Sequence, residues 1–238
     1  MRITFLGTSH GVPEPNRACS CTMIEVQGRY YFIDMGMMAQ QALVNRGIPM
    51  DQVKAMFFTH MHGDHLNGLP GFLDLLTWYY KTPDPVICLP QLECVDTIRA
   101  WLKHLSVDMK ELEFRKIAPG VIYDDGVLKV TAIGTQHCDL SYAFFLEAEG
   151  KNVLFTGDLK HPTVDFPQIG TQKSMDLVVA ESAHFPVEAY EAVLKGCDIG
   201  RLCINHHSPW KATGFFELRD ALAPMPVCLA QDGLELQL

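Results

Sequence analysis

The sequence contains no apolar run near the roughly 18 residues that span a bilayer, which excludes a transmembrane helix as the organising feature. Met1-Arg2-Ile3-Thr4-Phe5-Leu6-Gly7 reads as a short strand and a turn, without the long apolar core of a signal peptide, so a cytoplasmic protein is expected. No block of Lys or Arg occurs. Basic residues number 19 against 28 acidic ones, for a formal net charge of −9. A chain whose main partner is a long nucleic acid usually carries a basic patch, so a small-molecule partner is favoured, although scattered residues can gather on a folded surface. The eight cysteines lack paired metal-type spacing, and Cys19-x-Cys21 is too tight for a zinc pair, so reduced and mostly buried thiols are expected. There is no linker, low-complexity segment or fixed-period repeat. At 238 residues, 48% hydrophobic and 20% charged, one globular domain over residues 1–238 is expected.

What is present is concentrated in Thr59-His60-Met61-His62-Gly63-Asp64-His65, which follows the apolar run Ala55–Phe58. The run reads as a buried strand, so the polar residues sit where a strand stops. His60 and His62 project to one side of an extended chain. Gly63 permits a turn that brings in Asp64 and His65. Imidazole and carboxylate both suit zinc and other borderline divalent ions. A lone His-x-His usually binds nothing; four ligand-type residues in this spacing at a strand end point to a metal site.

Further along the chain, polar residues recur at strand ends. Strands are expected at 3–6, 22–26, 30–33, 54–58, 86–89, 112–117, 127–133, 142–147, 152–155, 176–180, 201–204 and 227–230. Helices are expected at 38–46, 66–80 (interrupted early by Pro70), 91–105, 187–195 and 214–222. Asp34, His137, Asp158, Glu181 and His206 each follow an apolar strand. An acidic residue such as Asp34 can also simply cap the next helix. The layer rules alone leave a doubly wound α/β sheet open beside a two-sheet sandwich.

The His-x-His-x-Asp-His signature resembles that of the metallo-β-lactamase superfamily. Gly7-Thr8-Ser9-x-Gly11-x-Pro13, with Asn16-Arg17-Ala18-Cys19-Ser20, is similar to the opening of its ribonuclease Z and small phosphodiesterase branch. The resemblance implies an α/β fold arranged as a four-layer αββα sandwich. It also implies a pair of divalent ions, zinc first, with manganese or iron also accepted. By carry-over His60, His62 and His137 hold the first ion; Asp64, His65 and His206 hold the second; Asp158 bridges them. His207 is the rival for the last position, but His206-His207-Ser208 matches the branch's His-x-Ser with His206 as ligand. Asp34 is expected to brace the metal loop from beneath without binding metal. His10, in the first loop, is a weaker candidate to face the site.

The resemblance implies hydrolysis by a metal-bound hydroxide. Redox members of the superfamily carry a glutamate where this chain has His62, and β-lactamases generally lack the Asp64–His65 pair. Two departures bear on the substrate. Ribonuclease Z has a His-Glu-Ala-Thr type motif where this chain has Ala180-Glu181-Ser182-Ala183. His184 instead resembles the histidine of small cyclic-phosphate phosphodiesterases, which makes it the expected proton donor beside Asp64, with His161 and His207 next in line and Glu181 structural. The interval from His137 to Asp158 leaves room for one hairpin and none for a tRNA-gripping arm. The leading expectation is therefore a phosphodiesterase for a small phosphodiester. Alternatives are a lactonase, thioesterase or β-lactamase, an armless ribonuclease Z-like endonuclease, and a metal-holding scaffold without turnover. A homodimer is compatible with the sequence.

Overall fold

Apolar residues along the strands alternate between two faces, and both faces are buried. In the computed structural model, which describes residues 1–238, this alternation resolves into two seven-stranded sheets. The first contains β1 (Arg2–Gly7), β2 (Cys21–Val26), β3 (Arg29–Ile33), β4 (Val53–Phe57), β5 (Val86–Leu89), β6 (Phe114–Lys116) and, added beside β1, β14 (Glu235–Gln237). The second contains β7 (Gly120–Asp124), β8 (Lys129–Gly134), β9 (Tyr142–Ala148), β10 (Lys151–Phe155), β11 (Leu177–Ser182), β12 (Leu202–His207) and β13 (Val227–Leu229), in that spatial order. Within each sheet the strands run parallel from β3 to β6 and from β10 to β13.

Phe5, Ile33, Phe57, Phe144, Leu146, Phe155 and Val179 form one core cluster and are drawn from both sheets. Their neighbours in sequence point outward. Phe32 and Met56 pack under α1 (Ala39–Asn45), α3 (Leu69–Leu75) and α4 (Glu93–His104). Phe145, Leu154 and Val178 pack with residues of α7 (Glu191–Leu194) and α8 (Phe215–Ala221). Helix, sheet, sheet, helix is the αββα sandwich, and a single doubly wound sheet is excluded. Each fully buried phenylalanine contributes about 1.5–3 kcal/mol.

Several boundaries differ from expectation. The helix expected over 66–80 is three pieces: α2 (Gly63–Leu66), α3, and a π-helical turn at Leu76–Tyr80. Pro70 lies in the first turn of α3, where its missing N–H costs no helical bond, so it starts a helix instead of interrupting one. The segment expected to be helical over 187–195 opens as a 3-10 turn at Val187–Tyr190. Strands β7 and β14 carry too little apolar alternation to be foreseen, and α5 (Pro162–Asp165) and α6 (Ile169–Gln172) are too short to show a period. The cysteines are free thiols, but only Cys21, Cys88 and Cys203 are buried; the other five are partly exposed, so "mostly buried" does not hold.

Asp125 joins the two sheets. One carboxylate oxygen accepts from Arg29 and from the Tyr31 hydroxyl, each at 2.8 Å, while the other accepts from the backbone of Val127 and Leu128. Burial pushes this carboxyl up, but the Leu128 N–H and the other donors outweigh it and hold it at about 2. Asp125→Ala is expected to lower stability at pH 7 by about 1–2 kcal/mol, measured by chemical denaturation. The wild-type advantage is present above the ordinary carboxylate range and fades as pH falls through about 2.

Candidate metal centre

The carboxyl ends of parallel strands collect the polar residues on one rim, the usual place for a site in such sheets. Asp34 follows β3, His60 follows β4, Asp158 follows β10, and Glu181 and His206 lie at the ends of β11 and β12. Asp34 occupies the left-handed region, φ 57°, with its N–H on the Phe57 carbonyl. Its carboxylate accepts from the Thr59 N–H at 2.8 Å and pairs with His65 Nδ1 at 2.7 Å. A proton on Nδ1, held by Asp34, makes Nε2 the His65 atom that can bind an ion. That Nε2 is buried and has no hydrogen-bond partner.

The loop after β4 turns sharply at Gly63, so that His62 is extended while Asp64 and His65 are helical. Met35 N–H donates to the His65 carbonyl at 2.7 Å, which clamps this turn to the segment after Asp34. Gly36 permits the contact, since a Cβ there would lie 1.7 Å from the Asp64 carbonyl oxygen. Gly157, φ 58°, serves the same purpose before Asp158: a Cβ would lie 2.6 Å from the Tyr142 carbonyl oxygen. On β12 the pairing skips His206, because Glu181 faces Asn205 and Ser182 faces His207. His206 is thus a bulged residue, φ 43°, and such bulges re-aim side chains next to active sites. The strand continues through His207, beyond the expected end at Ile204.

These devices bring together all seven residues expected to be ligands. His62 Nδ1 lies 2.9 Å from His60 Nε2 and 3.2 Å from His137 Nε2. His65 Nε2 is 3.4 Å from Asp64, and His206 Nε2 is 3.7 Å from it. One oxygen of Asp158 stands 3.5 Å from His206, 3.6 Å from His65, and 3.7 Å from both His60 and His137. Tetrahedral ligands at the zinc–nitrogen distance of 2.0–2.1 Å are about 3.3–3.4 Å apart, so the spacing and the nitrogen and oxygen donors fit divalent ions. The orphaned Nε2 of His65 fits them as well.

Electrostatics agrees. Burial, aided by His65, drives the His60 imidazole down to about 2, so it stays neutral with its lone pair available. Burial opposes charge on His65, but the Asp158 and Asp34 carboxylates outweigh it and push the imidazole well up. Burial likewise pushes Asp158 up, and His206 and His65 outweigh it to hold the carboxyl well below its usual range. The pocket is built for positive charge next to Asp158.

The family model described as "Anti-Pycsar protein Apyc1" matches residues 1–189. The chain belongs to the Apyc1 family. It is also similar to ribonuclease Z of Listeria innocua, 30% identical over 172 residues, covering 69% of this chain and 55% of the relative. The chain thus spans about half the length of the curated relatives it matches. Among solved structures, human tRNase Z, short form, superposes with TM-score 0.79 at 21% identity, covering 100% of this chain and 99% of that one. The metallo-β-lactamase fold protein YhfI of Bacillus subtilis gives TM-score 0.77 at 18% identity, covering 99% and 98%. This member of the Apyc1 family therefore has the metallo-β-lactamase fold.

Other expected residues fall as follows. His184 lies on the rim of the site, its Nδ1 3.0 Å from Glu181 and 3.8 Å from Asp158. The Glu181 hydrogen bond, against the effect of burial, raises the His184 imidazole. Buried Glu181 also accepts from the N–H groups of Leu159, Ala183 and His184, so it ties the Asp158 loop to His184. The alternatives lie elsewhere. His161 caps α5 and packs on Phe185; His207 donates to the Ala230 carbonyl at 3.0 Å; His10 packs edge-on against Trp210. Two residues went unforeseen. Thr59 packs its hydroxyl between Asp34 and His60 Nδ1, and its place beside His60 was the available signal. Asp165 accepts from the N–H groups of Gln136 and Lys160, tying the His137 loop to the Asp158 loop, with no local pattern to announce it.

Asp34→Asn should weaken metal affinity about 10–100-fold and lower Tm, because His65 loses its orienting carboxylate. Metal titration and thermal melting check this. Native affinity and stability with lost activity would contradict the bracing role.

Proposed function

We propose that this chain is a dinuclear metal-dependent phosphodiesterase for a small phosphodiester, with zinc the favoured ion and manganese or iron accepting the same donors. The observation that carries the reading is the single Asp158 oxygen facing four imidazoles from three separate segments of the chain. His60, His62 and His137 would hold one ion, Asp64, His65 and His206 the other, and Asp158 both. Such a pair, when bound, supplies Lewis acidity toward a phosphoryl group and lowers the pKa of water to about 7. The chain's own part is to fix those donors and to deliver a proton. With Nδ1 of His184 engaged by Glu181, its Nε2 is the atom left to protonate a leaving oxygen.

The relatives' names include ribonuclease Z, and the family is that of the anti-Pycsar protein Apyc1. A small substrate is favoured over precursor tRNA because β9 and β10 occupy the interval from His137 to Asp158, and because acidic residues outnumber basic ones. Binding a long nucleic acid draws on many phosphate contacts and is steeply salt-dependent. A cytoplasmic setting accords with this reading; no helix is long and apolar enough to cross a membrane.

Zinc-loaded protein should hydrolyse bis(p-nitrophenyl) phosphate and cyclic nucleotides, and should process precursor tRNA weakly at physiological salt. A lactone and a β-lactam belong in the same panel. Efficient and accurate tRNA 3′ processing, or turnover confined to the lactone or β-lactam, would overturn the proposal.

A further inference from the structure

Between the two sheets, against the inner side of the proposed metal centre, lies a cavity of about 30 Å³. It is bordered by His65, Asp158 and His206 of that centre and by Ile33, Phe155 and Val179 of the core cluster drawn from both sheets. A histidine that binds a metal through one ring nitrogen almost always donates its other N–H to a partner. His65 gives Nδ1 to Asp34, and His60 sets Nδ1 against the Thr59 hydroxyl. His206 is different. Its Nε2 faces Asp64 and Asp158, so Nδ1 is the nitrogen that carries the proton. That Nδ1 is buried, and no group of the chain accepts from it.

Asn205 Oδ1 is buried and unpartnered as well. Along β12, Cys203 faces the core between the sheets and Ile204 faces the helices, so Asn205 faces inward again. In a regular strand His206 would then point outward. The bulge removes that alternation, and both residues border the cavity. Neither atom bonds to the other, so the donor and the acceptor are joined only by what fits between them. A water needs about 10–15 Å³ and two to four polar partners. It accepts from an imidazole N–H and donates to an amide oxygen, which is what this pair demands. A cation would be repelled by the N–H and an anion by the Asn205 oxygen, and an apolar molecule would leave both unsatisfied. The Ser20 and Thr22 hydroxyls border the same cavity and can turn to accept the second water proton. That makes three bonds, the usual number for a buried water.

We propose that this cavity is a buried water site, and that the water, held by Asn205, orients His206 through its Nδ1–H. Asn205 is thereby a positioning residue for the ion assigned to Asp64, His65 and His206. The positioning role rests on the two-ion reading above; the water itself does not. The test is a high-resolution crystal structure of wild type, metal-free and zinc-loaded, together with zinc affinities from competition with a chromogenic chelator. Density for a water within about 2.7–3.2 Å of both His206 Nδ1 and Asn205 Oδ1 is expected in both crystals. Asn205→Leu, close in size but without an acceptor, should weaken zinc at one of the two sites about tenfold, the lower end of what loss of such an outer partner costs. Asn205→Asp keeps the acceptor and should retain the affinity, whereas a packing role alone would favour the leucine. A His206 Nδ1 bonded directly to a side chain, with no water between, would overturn the site. Unchanged affinity in Asn205→Leu would overturn the positioning role. If that variant fails to fold, the wild-type density still decides. Wild type that takes up a single ion would overturn the two-ion reading instead, while the metal-free crystal still decides the water.

Discussion

Asp158→Ala is expected to abolish phosphodiester hydrolysis and to leave the protein unable to hold a pair of ions. The Asp158 carboxylate is the anion that faces both proposed sets. Its one oxygen lies within 3.7 Å of His60 and His137 on one side and of His65 and His206 on the other. Two divalent cations a few ångströms apart repel each other, and a bridging carboxylate is what keeps them together. Without it, Asp64 still stands beside His65 and His206, but no carboxylate is left within 4 Å of His60 or His137. Metal analysis should give one ion or fewer per chain at concentrations that saturate wild type. Circular dichroism and melting in the absence of metal separate a lost site from a lost fold. Full activity in the variant would contradict the two-ion reading.

His184→Ala is expected to lower kcat by about 10²–10⁴-fold, the usual contribution of a general acid, with metal content unchanged. His184 also lies beside His137 and Asp158 in a grouping that could hold an ion. Its Nδ1, however, is taken by Glu181 at 3.0 Å, and unchanged metal content would separate a proton donor from a ligand. The loss should be larger for an alkyl leaving group, which needs the proton, than for nitrophenolate, which departs without one. The sign of the pH dependence follows from the Glu181 bond. It favours the charged imidazole, so wild-type activity should fall as pH rises through the raised His184 pKa, and the variant should lose that limb. Unchanged turnover across leaving groups would make His184 a surface histidine of the rim.

Much of the centre was legible because its residues follow a local rule. The expected ligands stand at or just past strand ends, and parallel strands place most of them on a common rim, with His137 joining from the end of the antiparallel β8. The strands were legible as apolar runs, since Phe57 and Met56, or Leu154 and Phe155, are all apolar where both faces of a sheet are covered; that they divide into two sheets was implied by the resemblance, because such runs suit a doubly wound sheet equally well. What escaped depends on contacts far apart in sequence. β14 is three residues long and exists as a strand because it pairs with β1 at the far end of the chain. The bulge at His206 comes from the register of β12 against β11, which no run of residues 201–208 encodes by itself. Asp165 acts on loops that precede it by up to 29 residues. Pro70 marked a break in a helical pattern but not which side of the break would be helical; Gly68 and the Met35 contact decide that.

His60, His62, Asp64, His65, His137, Asp158 and His206 are proposed to form one site for two divalent ions. The most direct measurement is metal content per chain, by elemental analysis of protein dialysed free of excess zinc, on wild type and on His62→Ala and His206→Ala. Two ions per chain in wild type, falling to about one in each single variant, is the predicted result. One ion or none in wild type, or two ions retained in both variants, would contradict it.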